Sequence, residues 1–353
     1  MTLSQSRTYT VEAVDLSTAS DDLLREVNDL SNEMTRESVP EDPPRAVAVL
    51  TRRVRNRPKM FRIRDWLVRA SDGRLVARGF LVRFDADTHQ HLREASIDVL
   101  PAHRRKGIGR MLFREIVAAA GDVNDIVIEF YTNDRVPAGA AFLKHIGAQE
   151  KLPSHMNHLD LSELDRTMVR AWTALDPKGY RLVWIDGDVP PELLNHVIVA
   201  YDTMNTAPRG DMAVDDWHTT PEQIREWDRT RRATGRQRLI ALAIHEASGD
   251  TAGYTELNYD PEVPHVIWQQ GTAVVPAHRS QGIGKWIKGA MLERALRDWP
   301  AARLVRTGNA DSNAPMLAIN TRLGFKPAWS VAIWEIGITD ARRYAGGSEL
   351  RRT

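Results

Sequence analysis

Apolar and polar positions alternate weakly from Arg7 to Val14, which predicts a strand, and Asp21-Asp22-Leu23-Leu24 then opens a helix with acid in its first turn. That helix must stop before the rigid run Val39-Pro40-Glu41-Asp42-Pro43-Pro44, and a shorter one spans Arg45 to Val54. Two strands follow, Phe61 to Ala70 and Leu75 to Phe84, joined by the hairpin signal Ser71-Asp72-Gly73-Arg74. His91 to Leu100 reads as the next strand. Ile108, Met111, Leu112, Ile116 and Ala119 then fall on one helical face, and Ile126 to Phe130 is a buried strand. The unit closes at Met156 to Leu161. A helix from Leu164 to Leu175 and the hinge Asp176-Pro177-Lys178-Gly179 lead onward.

The same order then begins again. Tyr180 to Ile185 is an opening strand and Pro190 to Met204 a helix; the loop Asn205 to Trp217 follows, and Thr220-Pro221-Glu222-Gln223 is a capping box. Leu239 to Ile244 pairs with Thr251 to Tyr259, His265 to Val275 is the next strand, and Ile283, Trp286, Ile287, Met291, Leu292 and Ala295 line one helix face. Arg303 to Thr307 and Trp329 to Ile336 complete the second unit. The pattern predicts two domains, 1–163 and 180–345, with 164–179 as a connecting helix and hinge and 346–353 as a tail.

The repeat is sharpest at one stretch. Pro101-Ala102-His103-Arg104-Arg105-Lys106-Gly107-Ile108-Gly109 returns as Pro276-Ala277-His278-Arg279-Ser280-Gln281-Gly282-Ile283-Gly284, so Gly107 and Gly282 stand 175 residues apart. A strand ends at proline, a short loop rich in glycine and basic residues follows, and a helix begins on the glycines. Unpaired backbone N–H groups then converge at the positive end of the helix dipole, which suits the oxygens of a phosphate or pyrophosphate.

Arg-x-x-Gly-x-Gly after a Val-x-Pro strand end resembles the acetyl-coenzyme A loop of the GCN5-related N-acetyltransferases (GNAT). A second feature of that family, an Asn-rich turn and a helix ending in Leu-Gly-Phe, is similar to Asn309-Ala310-Asp311-Ser312-Asn313 running to Leu323-Gly324-Phe325. The first repeat holds a looser version, from Thr132-Asn133-Asp134 to Ile146-Gly147. The resemblance spans both halves and implies, for each, an α/β (α+β) domain with a mixed, mostly antiparallel sheet flanked by helices. It also implies acetyl-CoA, or another acyl-CoA, as cofactor. The implied coenzyme contacts are Val99, Arg104, Arg105, Lys106, Gly107, Ile108 and Gly109 in the first half. In the second they are Val274, Val275, Arg279, Ser280, Gln281, Gly282, Ile283, Gly284, Lys285, Asn309 and Asn313. Tandem architecture resembles mycothiol synthase and the paired acetyltransferases of antibiotic and secondary-metabolite pathways, which implies a small-molecule amine as acceptor.

Composition narrows the field. Lys plus Arg number 48 against 47 Asp plus Glu, so net charge indicates neither a nucleic-acid nor a membrane partner. The basic run Arg52 to Lys59 reads as a solvated face. With no cysteine, a disulfide framework, a thiolate metal site and a cysteine nucleophile are excluded. No window reaches the apolar length of a membrane span, and the N-terminus lacks the apolar region of a signal peptide, so the expectation is a cytoplasmic monomer or homodimer. His103 and His278 stand without neighbouring ligands and read as loop residues; no metal is expected.

Acyl transfer to an amine needs a base for the amine, donors for the oxyanion and a source of protons for the thiolate. The resemblance places the base on the strand before the loop. Glu94 is the candidate in the first half, with a solvated strand glutamate as the plainer reading. The second half holds Trp268-Gln269 there, so Glu256 on the preceding strand is its candidate. The thiol-protonating tyrosine of many family members falls on Leu143 and Asn320, neither of which is a phenol, so both halves depart from the pattern and any proton donor must be water or another side chain; Asn320 is kept as the catalytic candidate at that place. The second half, with Asn309 and Asn313, is expected to catalyse. Two other readings stay open: an acyl-CoA-binding sensor without turnover, and acetylation of a protein lysine or N-terminus. Asp211, Asp215 and Asp216, and the eight tryptophans from Trp184 onward, could serve an acceptor, but loop solvation and core packing account for them as well.

Overall fold

The computed structural model describes residues 9–85 and 88–347, so the expected strand start at Arg7 and all of the expected tail except Gly346 and Gly347 lie outside the described residues. The first repeat runs β1 (Tyr9–Val14), α1 (Asp21–Ser38), α2 (Val47–Arg55), β2 (Phe61–Ala70), β3 (Leu75–Phe84), β4 (Leu92–Val99), α3 (Ile108–Ala119), β5 (Val127–Asn133), α4 (Pro137–His145), β6 (Gln149–Asp160) and α5 (Arg166–Thr173). The second runs β7 (Tyr180–Asp186), α6 (Leu194–Asp202), α7 (Pro221–Thr234), β8 (Gln237–His245), β9 (Thr251–Tyr259), β10 (Val266–Val274), α8 (Ile283–Asp298), β11 (Leu304–Ala310), α9 (Ala314–Leu323), β12 (Lys326–Gly337) and α10 (Ile338–Gly346). Each glycine-loop stretch opens with a single 3₁₀ turn, Pro101–His103 or Pro276–His278.

The chain forms two compact units. Unit 1 runs to Pro153 and takes in Asp211–Val214 and the residues from Val331 onward; unit 2 holds Ser154–Gly210 and Asp215–Ser330. This differs from a division of the chain at 163 and 180, because each repeat's last strand completes the other repeat's sheet. In unit 1 the order is β1-β2-β3-β4-β5-β12, antiparallel except where β4 meets β5, with Leu92 opposite Val127. The last strand in this order is the second half of β12, paired from Val331 opposite Asn133 to Gly337 opposite Val127. In unit 2 the order is β7-β8-β9-β10-β11-β6, again with one parallel pair, Val266 opposite Leu304, and Ser154–Asp160 of β6 lies against β11.

The expected helix at 164–175 is present as α5, but it belongs to a core and is not a connector. Val169 and Trp172 are buried with Leu292 and Ala295 of α8, and α5 backbone comes so near Gly289 that an added Cβ would lie 2.8 Å from the Trp172 Cβ. In unit 1 the comparable cover for α3 is α10, whose Ile338 and Ala341 join Phe113, Ile116 and Val117 in one apolar cluster. On the opposite side of the first sheet, Leu24, Val27 and Leu30 of α1 pack with Val54 and Leu67. In unit 2 that role falls to α6 and α7 through Val197, Ala200 and Ile224. Of the eight tryptophans from Trp184 onward, Trp286, Trp299, Trp329 and Trp334 are buried, and Trp184 and Trp227 are partly buried against cores. The basic run is tied down locally, Arg55 to Asp21 at 2.7 Å and Arg57 to Asp65 at 2.6 Å.

Candidate active site

The two glycine loops have one geometry. Gly107 (φ 85°) and Gly282 (φ 79°) cap α3 and α8 in the left-handed region, and the residue two before each, Arg105 (φ 60°) and Ser280 (φ 64°), is left-handed too. This backbone turn is what a glycine permits and a side chain resists. It leaves the first-turn N–H groups of Ile108, Gly109 and Arg110, and of Ile283, Gly284 and Lys285, without intrahelical acceptors. Arg105, Lys106, Ser280, Gln281 and Lys285 are exposed around them. A phosphate fits this arrangement.

Side chains do different work from that expected at several positions. Ile108 and Ile283 are buried and anchor their helices, so only their backbone faces a ligand. Arg104 donates through Nε to Val99 O at 3.0 Å and grips Glu37 of α1 with both Nη atoms, at 2.7 and 2.5 Å. Arg279 repeats the first bond, to Val274 O at 3.1 Å, and donates to Thr206 Oγ1 at 2.7 Å. The conserved spacing of this arginine within the repeat therefore braces the loop against the strand end. Val275 N–H donates to Ala252 O at 2.8 Å, the bond Leu100 makes to Val76 O at 3.0 Å. The repeated histidines are braces as well: His103 Nδ1 lies 3.1 Å from Tyr9 Oη and His278 Nδ1 3.0 Å from Tyr180 Oη.

The units differ at the strand that delivers the loop. Along β3 and β4 the register is unbroken from Arg83 opposite Arg93 to Ala77 opposite Val99. Along β9 and β10 it shifts: Gln269 faces Leu257, and Thr272 faces Thr255, so Gln270 and Gly271 together oppose Glu256. Such a bulge takes backbone groups out of the ladder and kinks the strand. It is held from inside by Gln269, whose Nε2 donates to Glu256 O at 2.8 Å and Thr255 Oγ1 at 3.1 Å. A side chain at Gly271 would run into the Tyr254 hydroxyl. The glycine inside an otherwise continuous strand pattern was the available sign of the bulge.

Glu256 sits opposite this bulge and is buried. Burial pushes its carboxyl up, while the Arg238 guanidinium, the Tyr201 hydroxyl and Asn258 pull it down. Tyr201 of α6 donates to Oε2 at 2.7 Å and Asn258 Nδ2 to Oε1 at 3.3 Å. Behind it Arg238 pairs with Asp228 at 2.5 Å, and Asp228 also accepts the Val189 N–H at 3.0 Å. The result is a carboxylate oriented by a phenol and poised to take up a proton.

In unit 1 the three carboxylates Glu94, Glu129 and Glu335 are register neighbours on β4, β5 and β12. Burial pushes Glu94 and Glu129 up. Glu335 Oε1 accepts the Ala213 N–H at 2.8 Å, and His91 Nε2 donates to Ala213 O at 2.7 Å. In unit 2 the ends of the Asn205 to Trp217 loop are clamped by two bonds between Asn205 and Trp217, at 2.8 and 2.9 Å, and Asp216 pairs with Arg209 at 2.7 Å.

Asn313 caps α9, its Oδ1 accepting the Met316 N–H at 3.4 Å. Asn320 is 2% exposed and donates to Asn309 Oδ1 at 2.8 Å while accepting from Lys288 Nζ at 2.8 Å, so it lies buried between them. Sequence reasoning assigned no role to Lys288, Tyr201 or Gln269. Among the described residues no cluster of possible metal ligands occurs, and no helix is long and apolar enough to cross a membrane.

These features define a class. Residues 63–147 match the family model described as acetyltransferase (GNAT) domain, and residues 201–325 match that described as acetyltransferase (GNAT) family. The two matches fall one in each repeat and together take in more than half of the chain, which belongs to the GNAT acetyltransferases with two domains in tandem. Among solved structures, a tandem GNAT protein from the clavulanic acid biosynthesis pathway is 26% identical, with 96% of this chain and 100% of that one covered and a TM-score of 0.74. A GCN5-related N-acetyltransferase from Sphaerobacter thermophilus shares the fold at 13% identity, covering 95% and 97% of the two chains with a TM-score of 0.64. No curated protein matches the sequence significantly.

Proposed function

We propose that the chain is an acetyl-CoA-dependent N-acetyltransferase for the amine of a small molecule, with unit 2 as the catalytic unit. The observation that carries this reading is the bulge in β10 directly opposite the buried Glu256, on the strand that leads into the glycine loop. Acetyl-CoA would supply the activated acyl group. The first-turn N–H groups of α8 would hold its phosphates, and backbone at the Gln270–Gly271 bulge would meet the acyl carbonyl. Glu256, directed by Tyr201, would take the proton of the attacking amine as its nitrogen bonds the acyl carbon; the C–S bond would break and the departing thiolate would take up a proton from water, leaving the amide and the free thiol. Unit 1 keeps the loop but has an unbroken β4, and its Arg104 is committed to Glu37; it is read as a second coenzyme-holding unit with little turnover of its own. Likeness to a tandem GNAT protein from the clavulanic acid biosynthesis pathway supports a small acceptor over a polypeptide.

The test is thiol release from acetyl-CoA by the full chain against a panel of small amines and a lysine peptide. Release with small amines is expected. Tight coenzyme binding with no release for any amine would replace the enzyme by a sensor, and acetylated peptide in mass spectra would replace the small acceptor.

A further inference from the structure

The Gly-Ile-Gly motif sets Phe113 of α3 and Lys288 of α8 at one position of the repeat, and the helix-ending Gly147 and Gly324, 177 residues apart, set Leu143 against Asn320 and Thr132 against Asn309. The β5–β12 and β11–β6 registers then place Trp334, which pairs with Phe130, against Asn157, which pairs with Thr307. In unit 1 this quartet is largely apolar: Phe113 and Leu143 are buried in one cluster, and Trp334 Nε1 donates to Thr132 Oγ1 at 2.9 Å. In unit 2 the same four positions are wholly polar and form one directed chain. Lys288 Nζ donates to Asn320 Oδ1 at 2.8 Å, Asn320 Nδ2 donates to Asn309 Oδ1 at 2.8 Å, and Asn157 Nδ2 reaches the same oxygen at 3.4 Å.

Lys288 is 2% exposed, and its ammonium lies 5.5 Å from the centre of the Phe325 ring. A buried lysine and two buried amides cost stability that unit 1 avoids at the same place with Phe and Leu. What they achieve is polarity. The bonds from Lys288 through Asn320 run outward and that from Asn157 converges on the same acceptor, so the oxygen of Asn309 is turned inward and its NH₂ must face the other way, on a partly exposed side chain at the end of β11.

We propose that Lys288 is a positioning residue of unit 2, acting through Asn320 to present the Asn309 NH₂ as a donor to an amide carbonyl of the pantetheine arm of coenzyme A. This rests on the acetyl-CoA reading of unit 2, and it gives the two units different grips on the arm with the same grip on the phosphates. Burial pushes Lys288 down to about 7, and either protonation state keeps an N–H for Asn320.

The test reverses the polarity of the chain without emptying it. Asn320→Asp keeps an oxygen for Lys288 and offers a second oxygen to Asn309, which must then turn its NH₂ inward. Binding is measured by calorimetry on the full chain carrying Gly107→Glu, which silences the unit 1 loop. Two ligands are compared: acetyl-CoA, and adenosine 3′-phosphate 5′-diphosphate, which has the nucleotide end and no arm. The expected result is about tenfold weaker acetyl-CoA binding with the nucleotide unaffected. The double variant Lys288→Phe/Asn320→Leu, which copies unit 1, should show the same split while keeping or raising the melting temperature. Equal loss for both ligands would mean a merely structural role and overturn the proposal. No loss for either would mean that the arm does not use Asn309. Failure of the chain with native Lys288 and Asn320 to bind acetyl-CoA would instead sink the coenzyme reading of unit 2 itself.

Discussion

Glu256 is the residue proposed as the base, and its environment makes a signed prediction. The Tyr201 hydroxyl bonds the ionised carboxylate and so holds its proton affinity below what burial alone would set. Thiol release should rise with pH as Glu256 loses its proton; Tyr201→Phe should move that acid limb to higher pH, and Glu256→Gln should remove it and lower the rate about 100-fold or more. An acid limb unmoved in Tyr201→Phe would assign it to another group. Lys288 gives a second signed expectation. Its folded value, about 7, lies below the ordinary 10.5, so the unfolded chain binds the extra proton between those values and stability gains from this residue as pH rises through that window. The penalty is full below it. Relative to the native protein, Lys288→Met should therefore be most favourable near pH 6, with the difference shrinking towards about pH 10 in denaturant melts. Glu256 was readable as a candidate base because the next strand offers Gln269 in place of a carboxylate, whereas the role of Lys288 was not open to pattern reading. Lysine between Ile287 and Gly289 is scored as a solvent-facing position, and only alignment of the repeats on Gly-Ile-Gly, which brings Phe113 to the same place, marks it as buried.

At the scale of elements, the strands, the main helices and both loops were legible, because alternation, helical spacing and the proline and glycine punctuation each have a local physical cause. The bulge was less so: it depends on the pairing partner, and its only local sign is Gly271. Gln269 holds it, so Gln269→Ala should strip bonds from Glu256 O and Thr255 Oγ1 and cost about 1–3 kcal/mol, with loss of thiol release exceeding the loss of stability. Activity retained in a destabilised protein would show the bulge to be only structural. The helix at 164–175 was foreseen, but its packing was not, since Gly289 in the middle of α8 reads as a weak helix position until α5 is seen against it. Gly289→Ala should cost about 1–3 kcal/mol through overpacking against Trp172, read as a lowered denaturation midpoint. A neutral or stabilising effect, as expected for an open helix site, would contradict the packing.

For the whole molecule, the repeat made two units legible from the sequence, yet not which strand closes which sheet. β6 and β12 both read as apolar-patterned strands at the end of a repeat, and register with β5 or β11 is a long-range choice that no local pattern encodes. A fragment ending at 179 keeps β6 but loses the part of β12 that pairs with β5, and with it α10 over α3. It should lack cooperative unfolding as a monomer, whereas the same fragment joined by a short linker to residues 331–347 should regain it. Native-like cooperative unfolding of the shorter fragment alone would argue that β6 can close the first sheet. The units' unequal sites lead to the most direct test of the account, thiol release with an accepted amine by the full chain carrying Gly107→Glu or Gly282→Glu, each a side chain forced on a left-handed cap. Gly282→Glu is expected to abolish turnover and Gly107→Glu to leave most of it. Turnover that survives Gly282→Glu and is lost with Gly107→Glu would place the chemistry in unit 1.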